Sequence, residues 1–154
     1  MLQDAVSPPA VRDWFVADHL HLETLLEEIL NAMDSREEKG LSILWAGFSR
    51  TLLAHMDIEE RCLIPQLDEQ ANRVARVLHE EHRYIRARTA GLAESIDALK
   101  ARPDEIHAFA DELRAHASHE DRMLYAWADR NLSPAAHRAL LEQLDQAVQS
   151  RPRD

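Results

Sequence analysis

The chain has 154 residues, and its 28 acidic and 18 basic side chains give a net charge of -10 at pH 7. This charge repels nucleic-acid phosphates and anionic lipids, so neither nucleic acid nor a membrane is an expected partner. The single cysteine, Cys62, excludes an internal disulfide and a cysteine-based metal site. No signal region is visible and no apolar run approaches the roughly 20 residues that cross a bilayer, so we expect a cytoplasmic protein.

The composition favours helices over strands. Alanine, leucine, glutamate and arginine are abundant, β-branched residues are few, and only three glycines and six prolines interrupt the chain. The length is typical of one domain with its own buried core. We therefore expect an all-α fold in which residues 1–154 form a single domain.

The first helix is predicted from about Pro8 to Met33, because Ser7 can cap it and proline tolerates the first helical turn. Its buried stripe advances by three and four residues: Phe15, His19, Leu22, Leu26, Ile29 and Met33. The charged linker 34–40 is short, as is usual between neighbouring helices of a bundle.

The second helix is predicted from residue 36 or 40 to about residue 68. Its stripe consists of Leu41, Leu44, Phe48, Leu52, His55, Glu59 and Leu63. Asp57 and Glu60 are expected to point elsewhere. Pro65 lacks a backbone donor, so we expect a kink or a tightened turn near it.

Two further long helices and a short one follow. The third, at about 71–99, has the stripe Val74, Leu78, His82, Ile85, Thr89, Leu92, Ile96 and Leu99. The fourth, at about 103–129, has Ile106, Phe109, Leu113, His116, Glu120, Met123 and Trp127. Ser133 and Pro134 begin a fifth helix at about 133–149, with Leu140, Leu141, Leu144 and Val148 on its apolar side. Residues 151–154 are expected to fray.

Each long helix carries a histidine on its buried stripe, and two of them carry a glutamate one turn later. The set is His19, His55, Glu59, His82, His116 and Glu120. Burying these groups with no inward lysine or arginine would carry a large desolvation cost, which a cation bound by both carboxylates removes. Imidazole and carboxylate without thiolate suit iron or manganese, and also zinc or copper. Two carboxylates that can bridge, with two histidines for each ion, predict a two-metal centre with iron preferred over manganese and zinc.

Other histidines and carboxylates near these stripes are assigned to the surface. Glu23 and Asp111 lie at the polar flanks of their helices and are expected to form ion pairs. Glu81 interrupts a locally basic segment that we interpret as a solvated helix face. The off-stripe histidines are His21, His107, His119 and His137. His79 lies about 60° around the helix from His82, so it either reaches a metal from the rim or only covers the site.

Three other templates are not supported. The chain contains no Glu-x-x-His sequence, which counts against a ferritin-type site, and no His-Glu-x-x-His sequence of a zinc protease. It also has neither a recognisable nucleophile motif nor a glycine-rich phosphate loop.

Four pieces of the sequence carry a resemblance to a known family. They are Asp18-His19, His55-Met-Asp-Ile-Glu59-Glu60 followed by Leu63-Ile-Pro65, Glu81-His82-Arg83, and His116-Ala-Ser-His-Glu120-Asp121 followed by Leu124-Tyr125. From about Trp14 to Gln146 the chain resembles the hemerythrin-like HHE cation-binding domain. The resemblance implies an up-down-up-down four-helix bundle at about 8–130 with a C-terminal helix at about 133–149. It also implies two iron ions, Fe2+ or Fe3+, joined by an oxo or hydroxo group, with Glu59 and Glu120 bridging and the four histidines as terminal ligands.

Two positions depart from the oxygen-carrying hemerythrins. Those carriers have a further histidine one turn before the one that matches His82, and here that position is Leu78. They also place an aspartate five residues after the last histidine, whereas this chain has Glu120 at four and Asp121 at five. We expect Glu120 to be the ligand because it holds the stripe. The chain is thus more similar to bacterial di-iron proteins of the family, which are linked to oxygen or nitric oxide sensing, peroxide handling and iron supply.

The expected function is binding or sensing of O2, nitric oxide or peroxide at a carboxylate-bridged di-iron centre. The expected pocket is apolar and lined by Phe48, Leu52, Leu78, Phe109 and Leu113. Alternatives are iron storage or donation for repair of iron centres, a peroxide- or nitric oxide-consuming enzyme, and a metal-free helical adaptor. An inward proton donor such as His79, Tyr84 or Cys62 would favour turnover. The electron donor, and the choice between monomer and homodimer, are left open by the sequence.

Overall fold

Helices account for the regular structure of the part of the chain that is described. The computed structural model describes residues 10–37 and 39–150, and within these ranges there are helices and no strand. The helices are α1 (Val11–Asp34), α2 (Leu41–Ile58), α3 (Asn72–Asp97), α4 (Pro103–Glu120), α5 (Ala126–Asn131) and α6 (Pro134–Gln149). The expectation of an all-α fold is confirmed. The predicted helix start at residues 7–9 and the predicted fraying of residues 151–154 lie outside the described residues.

The four long helices contact one another in a closed circuit. Helix α1 contacts α2 and α4, and α3 also contacts both α2 and α4. Helix α6 packs against α1 and against the segment that follows α2. No helix in the described ranges is both long enough and apolar enough to span a bilayer.

Two apolar clusters form the core, and the predicted ligands lie between them along each long helix. The first cluster is built around the rings of Trp45, Phe48 and Phe109. The second contains Leu63, Leu124 and Tyr125 among its fully buried members. In α3, for example, Leu78 belongs to the second cluster, Ile85 belongs to the first, and His82 lies between them. The polar layer is therefore enclosed by apolar packing at both ends, which keeps water away from it.

Helices α2 and α4 both change to a wider π-helix at a glutamate of the predicted site. Residues Glu59–Leu63 continue α2 as a π-helical segment, and Asp121–Tyr125 joins α4 to α5 in the same way. Such π-helical turns are rare and occur frequently at functional sites. The tightened turn predicted near Pro65 is confirmed, because Ile64–Gln66 form a 3-10 turn directly after the first π segment.

The π-helical segment after Glu120 changes which residues face inward. The regular stripe predicts that Met123 and Trp127 are buried, and this is wrong, since Met123 is 38% exposed and Trp127 is half-buried. The wider turn inserts one residue into the helical period. As a result Leu124 and Tyr125 are fully buried instead, and Tyr125 enters the polar layer.

The ends of two helices differ in how well the sequence predicts them. Leu99 was expected on the buried stripe of α3, but α3 ends at Asp97, and Leu99 is 75% exposed with a φ of +56° in the following turn. A positive φ cannot continue a right-handed helix. At the start of α6 the prediction is confirmed, because the Ser133 hydroxyl accepts a hydrogen bond from the Ala136 amide at 3.1 Å.

Candidate metal centre

All six predicted ligands meet in the polar layer between the long helices. Potential ligand atoms of His19, His55, Glu59 and Glu120 lie within 4.8 Å of one another, and so do those of His82, His116 and Glu120. The first group comes mainly from α1 and α2, and the second comes from α3 and α4. Glu120 belongs to both groups, so the two groups adjoin.

The two glutamates lie between the histidines of the two groups. Glu59 places Oε1 3.4 Å from Nε2 of His55 and Oε2 3.3 Å from Nε2 of His82. Glu120 places Oε1 3.1 Å from Nε2 of His116, and Oε2 3.5 Å from Nε2 of His82. The Oε1 atom of Glu120 also lies 3.3 Å from Nε2 of His19. Each carboxylate thus lies within 3.5 Å of histidines of both groups.

Several of these atoms are buried without a hydrogen-bond partner. In the described part of the chain they include Oε2 of Glu59, Oε2 of Glu120, Nε2 of His82 and Nε2 of His116. Buried polar atoms are normally paired, and an orphaned cluster of carboxylate oxygens and imidazole nitrogens needs an explanation. A cation bound by these atoms supplies one. The donor set contains nitrogen and oxygen only, so it fits iron, manganese or zinc.

A second set of carboxylates orients three of the histidines from outside. Nδ1 of His55 donates to Asp18 at 2.7 Å, Nδ1 of His82 donates to Glu60 at 2.9 Å, and Nδ1 of His116 donates to Glu81 at 2.7 Å. A carboxylate partner requires the proton on Nδ1, so Nε2 is left to face the interior as a ligand atom. These three acids are called the outer carboxylates below.

None of the three outer carboxylates was predicted from the sequence to contact a histidine on the next helix. Glu60 was expected to point elsewhere, but Arg86 holds it at 2.8 Å against His82. Glu81 was interpreted as part of a solvated face, yet it binds both His116 and His119, each at 2.7 Å. Each outer carboxylate directly precedes or follows a ligand in sequence but serves the ligand on the next helix. That adjacency is visible in the sequence, whereas the partner across the helix interface is not.

Tyr125 lies in the site, although the regular helical period does not place it on the buried face of its helix. Its hydroxyl donates a short hydrogen bond to Oε1 of Glu59 and lies 3.1 Å from Nε2 of His19. The ring stacks on Phe15 with centroids 4.9 Å apart. The proton donors suggested from the sequence lie elsewhere, since Tyr84 is 53% exposed and Cys62 packs against the second apolar cluster.

The remaining histidines stand outside the two ligand groups. His79 is exposed, and its Nδ1 lies 3.9 Å from Oε1 of Glu60, so it covers the outer carboxylate rather than joining the ligands. His21 is exposed, and His107 binds Asp34 at the surface. His119 was also assigned to the surface, but it is half-buried because Glu81 holds it against α3.

A cavity of about 270 Å3 between α1, α2 and α4 leads to one side of the site. Phe48, Leu52 and Leu113 line it as expected, but Leu78 and Phe109 do not. Leu78 instead belongs to the second apolar cluster, beyond the ligand layer. The inner end of the cavity is lined by His19, His55, His116 and Glu120.

An ion pair lies at the rim of the cavity. Nε of Arg114 donates to Glu23 at 3.0 Å, which joins α4 to α1. Arg114 also pairs with Asp111 at 3.5 Å. The expectation that Glu23 and Asp111 form ion pairs rather than bind the site is confirmed.

Without a cation, the buried charges of the site are balanced by protons. Burial alone would lower the pKa of His82, but the nearby carboxylates of Glu120 and Glu59 outweigh it and raise the pKa to about 10. Burial would likewise raise the pKa of Glu120, yet contacts with Glu59 and His116 hold it well below its usual range. Burial and the charge of Glu59 raise the pKa of Tyr125, so its hydroxyl keeps its proton.

The metal-free protein should lose stability as the pH rises above neutrality. The folded-state pKa of His82 is raised to about 10, so its stabilising contribution is complete below the unfolded pKa of about 6.5 and declines as the pH approaches 10. The pKa of His116 is raised as well, which acts in the same direction. Urea unfolding of the metal-free chain at pH 6, 7.5 and 9 should show a falling midpoint. An unchanged or rising midpoint would contradict this charge balance.

Comparison with known proteins agrees with the geometry. The family model of the Hemerythrin HHE cation binding domain matches residues 10–128. No match is found among curated proteins or solved structures. The matched range contains the six candidate ligands, the outer carboxylates and Tyr125. The chain therefore belongs to the hemerythrin HHE cation-binding domain family.

Proposed function

We propose that the protein binds two iron ions in the polar layer of an up-down-up-down four-helix bundle and uses them to bind or sense O2, nitric oxide or peroxide. The observation that supports two ions is the pair of adjoining ligand groups that share Glu120. The orphaned oxygens of Glu59 and Glu120 belong to the first group, and the orphaned nitrogens of His82 and His116 belong to the second. Monomer and homodimer are equally compatible with this proposal.

In this proposal the first ion is held by His19 and His55, and the second is held by His82 and His116. Glu59 is shared because its Oε1 faces His55 and its Oε2 faces His82. Glu120 is shared because it lies near His19 of the first group and near His82 and His116 of the second. Iron is preferred because two buried carboxylates and four imidazoles suit ions of intermediate hardness. Bound iron would supply the electrons that activate O2 or peroxide, and the apolar clusters on both sides exclude bulk water from that chemistry.

The small ligand is proposed to arrive through the cavity that ends at His19, His55 and Glu120. The cavity also reaches His116 of the second group, but His82 does not line it, and both His82 and Leu78 are fully buried. Access is therefore unequal for the two ions. The unequal access favours binding of the ligand at the first group.

Replacing a shared glutamate should remove both metals. Glu59→Ala and Glu120→Ala should each reduce iron from about two ions per chain to near zero after anaerobic loading, since both ions lose a ligand and a compensating charge. Metal analysis of the desalted protein provides the measurement. Glu23→Ala is the matched control, because Glu23 is paired with Arg114 at the rim and should retain the full metal content. Less than about one ion in the unmodified chain would contradict the proposal.

Glu81→Gln should weaken metal binding about 10- to 100-fold, because it removes the carboxylate that orients His116. Competition with a calibrated chelator measures the change. Glu80→Gln removes the same charge at the adjacent, exposed position and should leave the affinity unchanged. Equal effects of the two substitutions would show that general charge, and not orientation of His116, determines the affinity.

A peroxide-consuming enzyme is the second candidate, and Tyr125 is the observation that favours it. The hydroxyl lies inside the polar layer against Glu59 and His19, where it can donate a proton to a ligand bound at the first group. If peroxide is turned over to water and O2, Tyr125→Phe should slow oxygen evolution by about 100-fold or more while the metal content stays the same. Tyr84→Phe, at an exposed position, is the control. Oxygen evolution no faster than that of free iron would rule out this candidate.

A further inference from the structure

The cavity beside the first ligand group is much larger than a diatomic ligand requires. Its volume is about 270 Å3, whereas a dry protein cavity of about 150 Å3 lined by leucine, isoleucine and phenylalanine is enough to bind benzene. By that comparison it has room for about ten carbon and oxygen atoms. The cavity therefore has room for an occupant larger than O2 or nitric oxide.

The body of the cavity is apolar. Its walls include Val16, Leu22, Leu26, Phe48, Leu52 and Met56, which offer no strong hydrogen-bonding groups to water. Burial of one methylene group in such surroundings increases affinity about fourfold. An aliphatic chain is therefore the chemical group that these walls accept best.

The two ends of the cavity differ in polarity. At the inner end His19, His116 and Glu120 provide the polar groups of the ligand layer. At the rim Arg114 is paired with Glu23, and its second partner, Asp111, is exposed outside the lining residues. Among the lining residues the rim thus has no unpaired positive charge, on a chain whose net charge is -10. An anionic molecule is repelled at this entrance, whereas a neutral one is not.

We propose that the cavity binds a neutral aliphatic molecule of about ten non-hydrogen atoms with a single hydroxyl or hydroperoxyl head group. The aliphatic body lies against the walls formed by α1 and α2, and the head group lies at the inner end beside His19 and Glu120. This inference rests on the proposed function in one respect, because the head group is placed next to the proposed metal ions. Binding of the aliphatic body depends on the walls and the rim alone.

Calorimetric titration of the metal-loaded chain with 1-hexanol, 1-octanol and sodium octanoate tests the proposal. We expect one octanol molecule per chain, affinity about tenfold or more weaker for hexanol, and octanoate weaker than octanol by about tenfold. Val16→Trp and Ala117→Leu, which add volume at two half-buried wall positions, should each weaken octanol binding by about tenfold or more. Ile43→Trp, at a position of α2 that is 78% exposed, should leave it unchanged.

Three outcomes would overturn the inference: no saturable octanol binding, equal binding by the wall and control variants, or tighter binding of octanoate than of octanol. Metal content is measured in the same samples. Loss of octanol binding with two ions still present contradicts the cavity assignment alone. Absence of metal from the unmodified chain contradicts the proposed function, and repetition of the titration on that metal-free chain still tests the cavity.

Discussion

The burial of two carboxylates at the centre of the bundle is the constraint on which the rest of the site depends. Glu59 and Glu120 are almost fully buried, and no lysine or arginine of the described residues is buried with them. An isolated buried carboxylate is too costly to persist, so positive charge must come from elsewhere. Protonated histidines provide it in the metal-free chain, as the raised pKa of His82, about 10, indicates. A bound cation would replace those protons, which couples metal binding to proton release.

The outer carboxylates extend this constraint from the site to the helix packing. Asp18 of α1 holds His55 of α2, Glu60 after α2 holds His82 of α3, and Glu81 of α3 holds His116 of α4. Each bond joins neighbouring helices, so the orientation of each ligand depends on the position of the helix beside it. A shift of one helix would therefore misplace a ligand on the next one.

Much of this arrangement was predictable from the sequence, because buried stripes follow the helical period. His19, His55, His82 and His116 fall on such stripes, and the structure brings them together with both glutamates. The helical period gave a wrong prediction where the helix is irregular. The π-helical segment after Glu120 brings Tyr125 inward in place of Met123 and Trp127. It also failed for polar contacts across helix interfaces, because periodicity reports which face a residue occupies and not which partner it meets.

The pattern of outer carboxylates between neighbouring helices does not continue between α4 and α1. By analogy with the other three, Asp121 would follow Glu120 and hold His19, but it pairs with Arg12 at 2.9 Å. His19 instead meets the Tyr125 hydroxyl on its inward nitrogen. Its side chain is 17% exposed, compared with 7% or less for the other three histidines. A histidine that no outer carboxylate orients is held less firmly, and here it lines the inner end of the cavity. An incoming molecule can therefore reach the site at the first group with the least change in helix packing.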